Sequence, residues 1–177
     1  MTGVLIVLAI ITAVALLFWL DRRDKNEKAE IERIHDVISS FLEGINWNMS
    51  HHRLRETFKD KEFLEPEDIG DLIRVGYRDR INGEEVLIGF YLRDDKLVKT
   101  DLHIVHMSRN RLNPLFRRLY ERYGPPFPQN ESGKEGVLWD LEKGILTLET
   151  RKDGPPVFCF WNRDFYGTAS LPHVGHY

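Results

Sequence analysis

Hydrophobic residues follow three different patterns along this chain, and the first is an unbroken run at the N-terminus. From Val4 to Leu20 every residue except Thr12 is apolar. At about 1.5 Å of rise per residue, such a helix is about 26 Å long, near the short end of what crosses a bilayer. Trp19 closes the run, where an indole favours the headgroup boundary. The pattern predicts a transmembrane anchor over residues 1–21.

The residues around this run favour an uncleaved anchor over a signal peptide, because no Lys or Arg precedes it and no small-residue cleavage site follows it. Positive charge is found only after the run, beginning at Arg22 and Arg23. The positive-inside rule then predicts a single-pass protein of the cell membrane with its C-terminal domain in the cytoplasm. A periplasmic or other extracytoplasmic domain is the alternative.

The second pattern has helical spacing and predicts an amphipathic juxtamembrane helix within residues 22–46, roughly over 24–44. Ile31, Ile34 and Ile38 recur every three or four residues, with charged residues on the opposite face. One interpretation is that this stripe packs on the domain that follows. The other is a short coiled coil over residues 24–44 that pairs two copies of the chain, although the stripe spans barely two heptads.

The third pattern, alternation of apolar and polar residues, occurs in residues 47–162 and predicts strands joined by short turns. Asn82-Gly83 is a strong hairpin signal because both residues tolerate positive φ. The runs fall into two units, 47–107 and 108–162, each a helix followed by three strands. The six predicted strands are Leu72–Ile81, Val86–Arg93, Leu97–Met107, Val137–Leu141, Ile145–Arg151 and Val157–Asn162.

Helix signals open both units. Ser50 can cap a short helix that carries Leu54 and Phe58. In the second unit Asn113 is the predicted cap, Pro114 suits the first helical position, and Gly124 suits the end. The sequence therefore predicts an α+β fold, with one antiparallel sheet of about six strands and helices on one face. Residues 163–177 have no periodicity and are predicted to be a C-terminal tail.

Strand alternation assigns side chains to the two faces of this sheet. The face beneath the helices is predicted to hold Ile73, Val75, Tyr77, Val86, Ile88, Phe90, Leu92, Val98, Leu102 and Ile104. The other face is predicted to be open and to hold Asp101 together with the predicted partner-binding residues, which are Arg74, Arg78, Leu87, Tyr91, Arg93, His103 and Trp161. Arg, Tyr and Trp are enriched at binding hot spots. An ordinary wet sheet face is the alternative.

Short motifs in both units resemble a known envelope family. They are Asn46-Trp47-Asn48-Met49-Ser50, the turn Asp94-Asp95-Lys96-Leu97, and Tyr123-Gly124-Pro125-Pro126 leading to Trp139. In these the chain resembles the small outer-membrane assembly lipoproteins and the tandem β-lactamase-inhibitor-like fold. The resemblance implies a binding module for complex assembly or inhibition, on the envelope side. The chain departs from the family at Asn48, where glycine is usual, and has no lipidated cysteine.

Composition and motifs narrow the function classes. The net charge of −3 offers no positive field for nucleic acid. Phosphate-binding glycine loops and the hydrolase serine elbow are absent from the sequence. His103 and His106, three apart in a strand, point to opposite faces. Cys159, the single cysteine, lies in an aromatic strand that favours a buried thiol. We expect no cofactor, metal or catalytic site.

The prediction is a single-pass, membrane-anchored module that binds another protein as a scaffold, adaptor or inhibitor. Two alternatives remain open at this point. One is a tethered domain that senses a ligand or signal, which a deep apolar pocket would favour. The other is a tethered enzyme with an unrecognised site.

Overall fold

A computed structural model describes residues 22, 25–107, 111–131, 134–150 and 155–166. These residues form three α-helices and eight strands: two helices precede the first four strands, and the third helix precedes the last four. The helices are α1 (residues 25–44), α2 (His51–Thr57) and α3 (Leu112–Tyr123). The strands are β1 (Glu67–Ile69), β2 (Leu72–Ile81), β3 (Glu84–Arg93), β4 (Lys96–Ile104), β5 (Phe127–Glu131), β6 (Lys134–Leu141), β7 (Gly144–Thr150) and β8 (Val157–Trp161).

The eight strands form one antiparallel sheet in the order β1-β2-β3-β4-β8-β7-β6-β5. Each half is a four-strand meander, because short turns bring successive strands side by side. The turn between β2 and β3 places Asn82 and Gly83 at positive φ (52° and 88°), as the hairpin prediction requires. The two halves meet where β4 pairs with β8. The predicted α+β class and single antiparallel sheet are confirmed.

One face of this sheet packs against all three helices and holds the main core. Helix α1 contributes its whole apolar stripe, including Ile34 and Ile38, which are fully buried. The stripe therefore packs on the domain, as the first interpretation predicts, and pairing of two copies through residues 24–44 stays a prediction. Helices α2 and α3 contribute Leu54, Leu115 and Leu119. We call this side of the sheet the helix face.

Ion pairs fix α3 to α1 along their exposed sides. The pairs are Arg111 with Glu30, Arg118 with Glu32, and Arg122 with Glu43. The three paired residues occur in the same order along α1 and along α3, so the two helices run in the same direction. A groove of about 420 Å³ lies between them, and six of its eight lining residues are charged.

Several predicted details of the fold were wrong. The sheet has eight strands because β1 and β5 add an edge strand to each half. Both are short and lack the apolar alternation on which the prediction depends. Helix α3 begins two residues earlier than predicted, at Leu112, so Asn113 lies inside it, and the N-cap residue Arg111 makes no capping hydrogen bond with its side chain. Ser50 does cap α2, by accepting a hydrogen bond from the Arg53 backbone N–H.

Two residues assigned to the helix-face core lie elsewhere. Ile73 is 43% exposed, and the core of strand β2 begins at Val75. Val98 is buried, but it packs with Tyr91 on the opposite face. A β-bulge beside Tyr91 shifts the β3–β4 register, so Leu97 takes the core position and Val98 turns away.

The predicted anchor over residues 1–21 lies outside the described residues, and so does most of the predicted tail. Among the helices of the described part of the chain, none is long and apolar enough to cross a membrane. Residues Arg163–Phe165 of the predicted tail form a single 3-10 turn, which Asn162 caps with its side chain.

Candidate functional site

The candidate site lies on the face of the sheet opposite the helices, which we call the second face. Its residues alternate with those of the helix face, because successive side chains of a strand point to opposite sides. Among the described residues, its two apolar clusters contain strand residues together with Phe165 and Tyr166 of the chain after β8. The helices of the described part do not contribute to these clusters.

Arg74, Tyr91, Asp101 and His103 form a hydrogen-bonded group at the centre of the second face, the Tyr91 network. The Arg74 Nε–H donates to Tyr91 Oη at 3.2 Å, and the Tyr91 hydroxyl donates to Asp101 Oδ2 at 2.6 Å. His103 Nε2 lies 3.5 Å from the same carboxylate oxygen. Strands β2, β3 and β4 each supply part of the group, and pairing of Arg74 with Tyr91 brings it together.

Lys99 extends this charged group toward β8. Its ammonium group lies 4.6 Å from the centre of the Tyr91 ring and 4.7 Å from the Trp161 ring. A cation between two aromatic faces is attracted by both ring quadrupoles. The Trp161 ring in turn makes a T-shaped contact with the Tyr166 ring, whose centre is 5.9 Å away.

Burial and charge determine the protonation states of these groups. Burial alone would raise the pKa of Asp101, but the hydrogen bond and charge of His103, with the charges of Lys99 and Arg74, outweigh it and lower that pKa. Asp101 is therefore a carboxylate at neutral pH. Burial and the charge of Asp101 raise the pKa of the Tyr91 hydroxyl, so the phenol keeps its proton.

Cys159 lies next to Asp101 across the β4–β8 pair and is buried. Burial raises the pKa of its thiol to about 12, with a further rise from Glu149 that the nearby Lys99 opposes. At neutral pH the thiol is therefore protonated, as expected for a structural cysteine. With a neutral phenol and a neutral thiol, this group of side chains offers hydrogen bonds and charge, and neither Tyr91 nor Cys159 is an activated nucleophile.

The structure brings together most of the predicted partner-binding residues, but the prediction that they lie open to water was wrong for five of them. Arg78 is exposed, and Arg93 is partly exposed and paired with Asp71 at 2.8 Å. Alternation predicts the side to which a residue points and gives no measure of how far water reaches it. The five buried residues, with exposed fractions of 2–9%, are Arg74, Leu87, Tyr91, His103 and Trp161.

Sequence reasoning missed the network itself. Asp101 was placed on the second face without a role, yet it accepts the shortest hydrogen bond of the group. Lys99 was not singled out at all. The missing signal is strand register, which decides whether residues ten or seventeen positions apart become neighbours. For metal binding, the described residues contain no cluster of three or more His, Cys, Asp or Glu side chains that could hold an ion.

Comparisons with protein-family models, with curated proteins and with solved structures found no match for this chain. The resemblance to the outer-membrane assembly lipoproteins and the β-lactamase-inhibitor-like fold therefore stays a prediction.

Proposed function

We propose that this chain is a membrane-tethered, non-catalytic module that binds another protein through the second face of its sheet, as a scaffold, adaptor or inhibitor. The observation that carries the proposal is the Tyr91 network. It fixes the buried Arg74 and Tyr91 beside Trp161, so the sheet beneath the exposed second-face residue Arg78 is rigid before a partner arrives. Arginine is one of the residue types enriched at binding hot spots. Side chains held in place before binding lose less entropy when a partner arrives.

The protonation states also support binding over chemistry. A covalent mechanism at this face would need an activated nucleophile, and both Tyr91 and Cys159 keep their protons at neutral pH. The alternative of a domain that senses a ligand or signal would be favoured by a deep apolar pocket. The groove between α1 and α3 does not supply one, since most of its lining is charged.

A photo-cross-linking experiment tests the binding surface in membranes of cells that express the full chain. A photoreactive amino acid replaces Arg78, which is exposed and lies on the second face, or Arg53, which is exposed on α2. We expect a cross-linked partner protein with the Arg78 probe and none with the Arg53 control. Equal cross-linking at both positions, or none at position 78, would contradict the proposal.

Tethering is tested separately by alkaline carbonate extraction. The full chain is expected to remain in the membrane pellet, and a chain lacking residues 1–21 is expected to move to the supernatant. A full chain that carbonate releases would refute the anchor and leave the binding surface to be judged on the cross-linking result.

A further inference from the structure

The centre of the second face is buried, although the helices of the described part lie on the other side of the sheet. Leu87 is 6% exposed, His103 is 9% exposed and Val157 is 2% exposed. Strand pairing places these three residues side by side across β3, β4 and β8, and we call them the Leu87 row. Some part of the chain other than these helices therefore keeps water away from this row.

The side chains around Leu87 do not account for its burial. Leu87 belongs to none of the three apolar clusters that the described residues form. Two of its neighbours on the same face are Gly89, two positions along β3, and Gly76 on the adjacent strand, and neither has a side chain. Its pairing partner Arg78 is itself exposed. A leucine in such surroundings would remain accessible to water if this side of the antiparallel sheet had no cover.

The burial is local to the middle strands. Phe127 of β5 lies on the same face as Thr147 of β7, because both pair with Leu138 of β6. Phe127 is 61% exposed, whereas Thr147 is 0% exposed. The β5 edge of the second face is therefore open to water, and the cover lies over the strands at the centre.

The chain after β8 already begins such a cover. Phe165 packs with Tyr91 in one apolar cluster of the second face, and Tyr166 packs on Trp161 in the other. The Leu87 row lies four residues farther along β3 and β8, which is about 14 Å away. This distance exceeds the length of one aromatic side chain, so the two rings alone do not cover the row.

Residues 167–177 continue the chain directly from Tyr166. Extended, this segment spans at most about 36 Å, which is more than twice the distance to the Leu87 row. It contains no Asp, Glu, Lys or Arg, and it carries the hydrophobic side chains Leu171, Val174 and Tyr177. Placing it on the sheet would therefore bury no permanently charged side chain. Its starting point, its length and its composition all fit the missing cover.

We propose that residues 167–177 cover the Leu87 row and hold this part of the second face closed, so that a partner gains access to it only when the segment moves aside. This inference rests on the proposed function and adds the regulation of the same surface. Arg78 extends the row on β2 and is exposed. A partner can therefore contact the face at Arg78 while the rest of the row is covered.

A photoreactive amino acid in place of Leu171 tests the cover in the full chain, held in detergent micelles. After irradiation, mass spectrometry of the digested monomer band is expected to locate cross-links at the Leu87 row. The same probe in place of Arg53, which is exposed on α2, is the matched control and should give no link to the row. Links between two copies, links confined to the helices, or no link from position 171 would overturn the proposal.

Histidine modification tests whether removing the segment opens the row. Diethyl pyrocarbonate should modify His103 at least fivefold faster in a variant lacking residues 167–177 than in the full chain. His52, whose side chain is 83% exposed, is the control and should react equally in both. His35, whose side chain on α1 is 5% exposed, should stay protected if the variant is folded. Equal rates at His103 in a folded variant would contradict the cover. If His35 reacts as well, the variant is unfolded and the probe at position 171 decides.

Partner capture tests the regulation. With the photoreactive probe at position 78 in membranes, the variant lacking residues 167–177 is expected to capture at least threefold more partner than the full chain. Equal or lower capture would refute the regulation even where the segment covers the row. No capture in either form would refute the proposed function, whereas the results at positions 171 and 103 would still decide the cover.

Discussion

Replacing Tyr91 by phenylalanine removes a single oxygen atom from the centre of the Tyr91 network and leaves the ring in its place. That oxygen accepts from Arg74 and donates to Asp101, and both partners are charged and buried. Hydrogen bonds to charged groups contribute about 1.5–3 kcal/mol each. Without the hydroxyl, Asp101 Oδ2 retains only the longer contact to His103, at 3.5 Å. For the two bonds together, we therefore expect Tyr91→Phe to lower the free energy of unfolding by about 3–6 kcal/mol.

Urea denaturation of the full chain in micelles, followed by tryptophan fluorescence, measures this loss. Tyr120→Phe is the matched control, because Tyr120 is 48% exposed on α3 and a surface substitution of this kind changes stability by less than about 0.5 kcal/mol. A cycle with Asp101→Asn should give a coupling energy of about 0.5–3 kcal/mol between positions 91 and 101. If Tyr91→Phe unfolds at the same urea concentration as the wild type, the network does not stabilise the fold as inferred.

Three further predictions follow from the same contacts. The lowered pKa of Asp101 contributes stability that is present above the unfolded-state pKa of about 3.9 and is lost as the pH falls toward the lower folded value. In urea titrations, the stability advantage of the wild type over Asp101→Asn should therefore shrink below about pH 4. An advantage that does not change with pH would contradict this. Gly76→Ala would place a Cβ 2.5 Å from the backbone oxygen of Ile88 and should cost about 2 kcal/mol or more, whereas Gly44→Ala, with no atom nearby, should be neutral or stabilising in thermal melts. The Cys159 thiol, with its pKa near 12, should resist iodoacetamide at pH 8 until urea unfolds the chain, and rapid alkylation of folded protein would refute its burial.

The strands that could be predicted from the sequence are those whose patterns are local. Alternation and positive-φ turns act within a few residues, so β2, β3 and the hairpin at Asn82 follow directly. The edge strands β1 and β5 are stabilised by pairing with one neighbour, a non-local effect that leaves no apolar period in the sequence. The start of α3 was misplaced by two residues because its N-cap, Arg111, is not a residue type that caps helices with its side chain.

The candidate site was predicted only in part, and the reason is geometric. Choosing one face of the strands is enough to collect Arg74, Tyr91, His103 and Trp161. Whether their polar atoms meet depends on the register of three strand pairs, including the bulge at Tyr91. A shift of two residues would preserve every face assignment and break every hydrogen bond of the network. For this reason Asp101 could be placed on the second face but its partners could not be named.

The junction of β4 with β8 has a consequence for folding. Every other strand pair closes over a short connection, whereas this one joins residues 54–62 positions apart, so its entropy of closure is the largest in the sheet. Asp101 and Trp161 lie on opposite sides of that seam. The contact of Lys99 with the Trp161 ring crosses this seam, so the second face is complete only after the two halves have joined. By mass action, any partner that contacted both halves would stabilise this junction, and its affinity would appear as a higher free energy of unfolding.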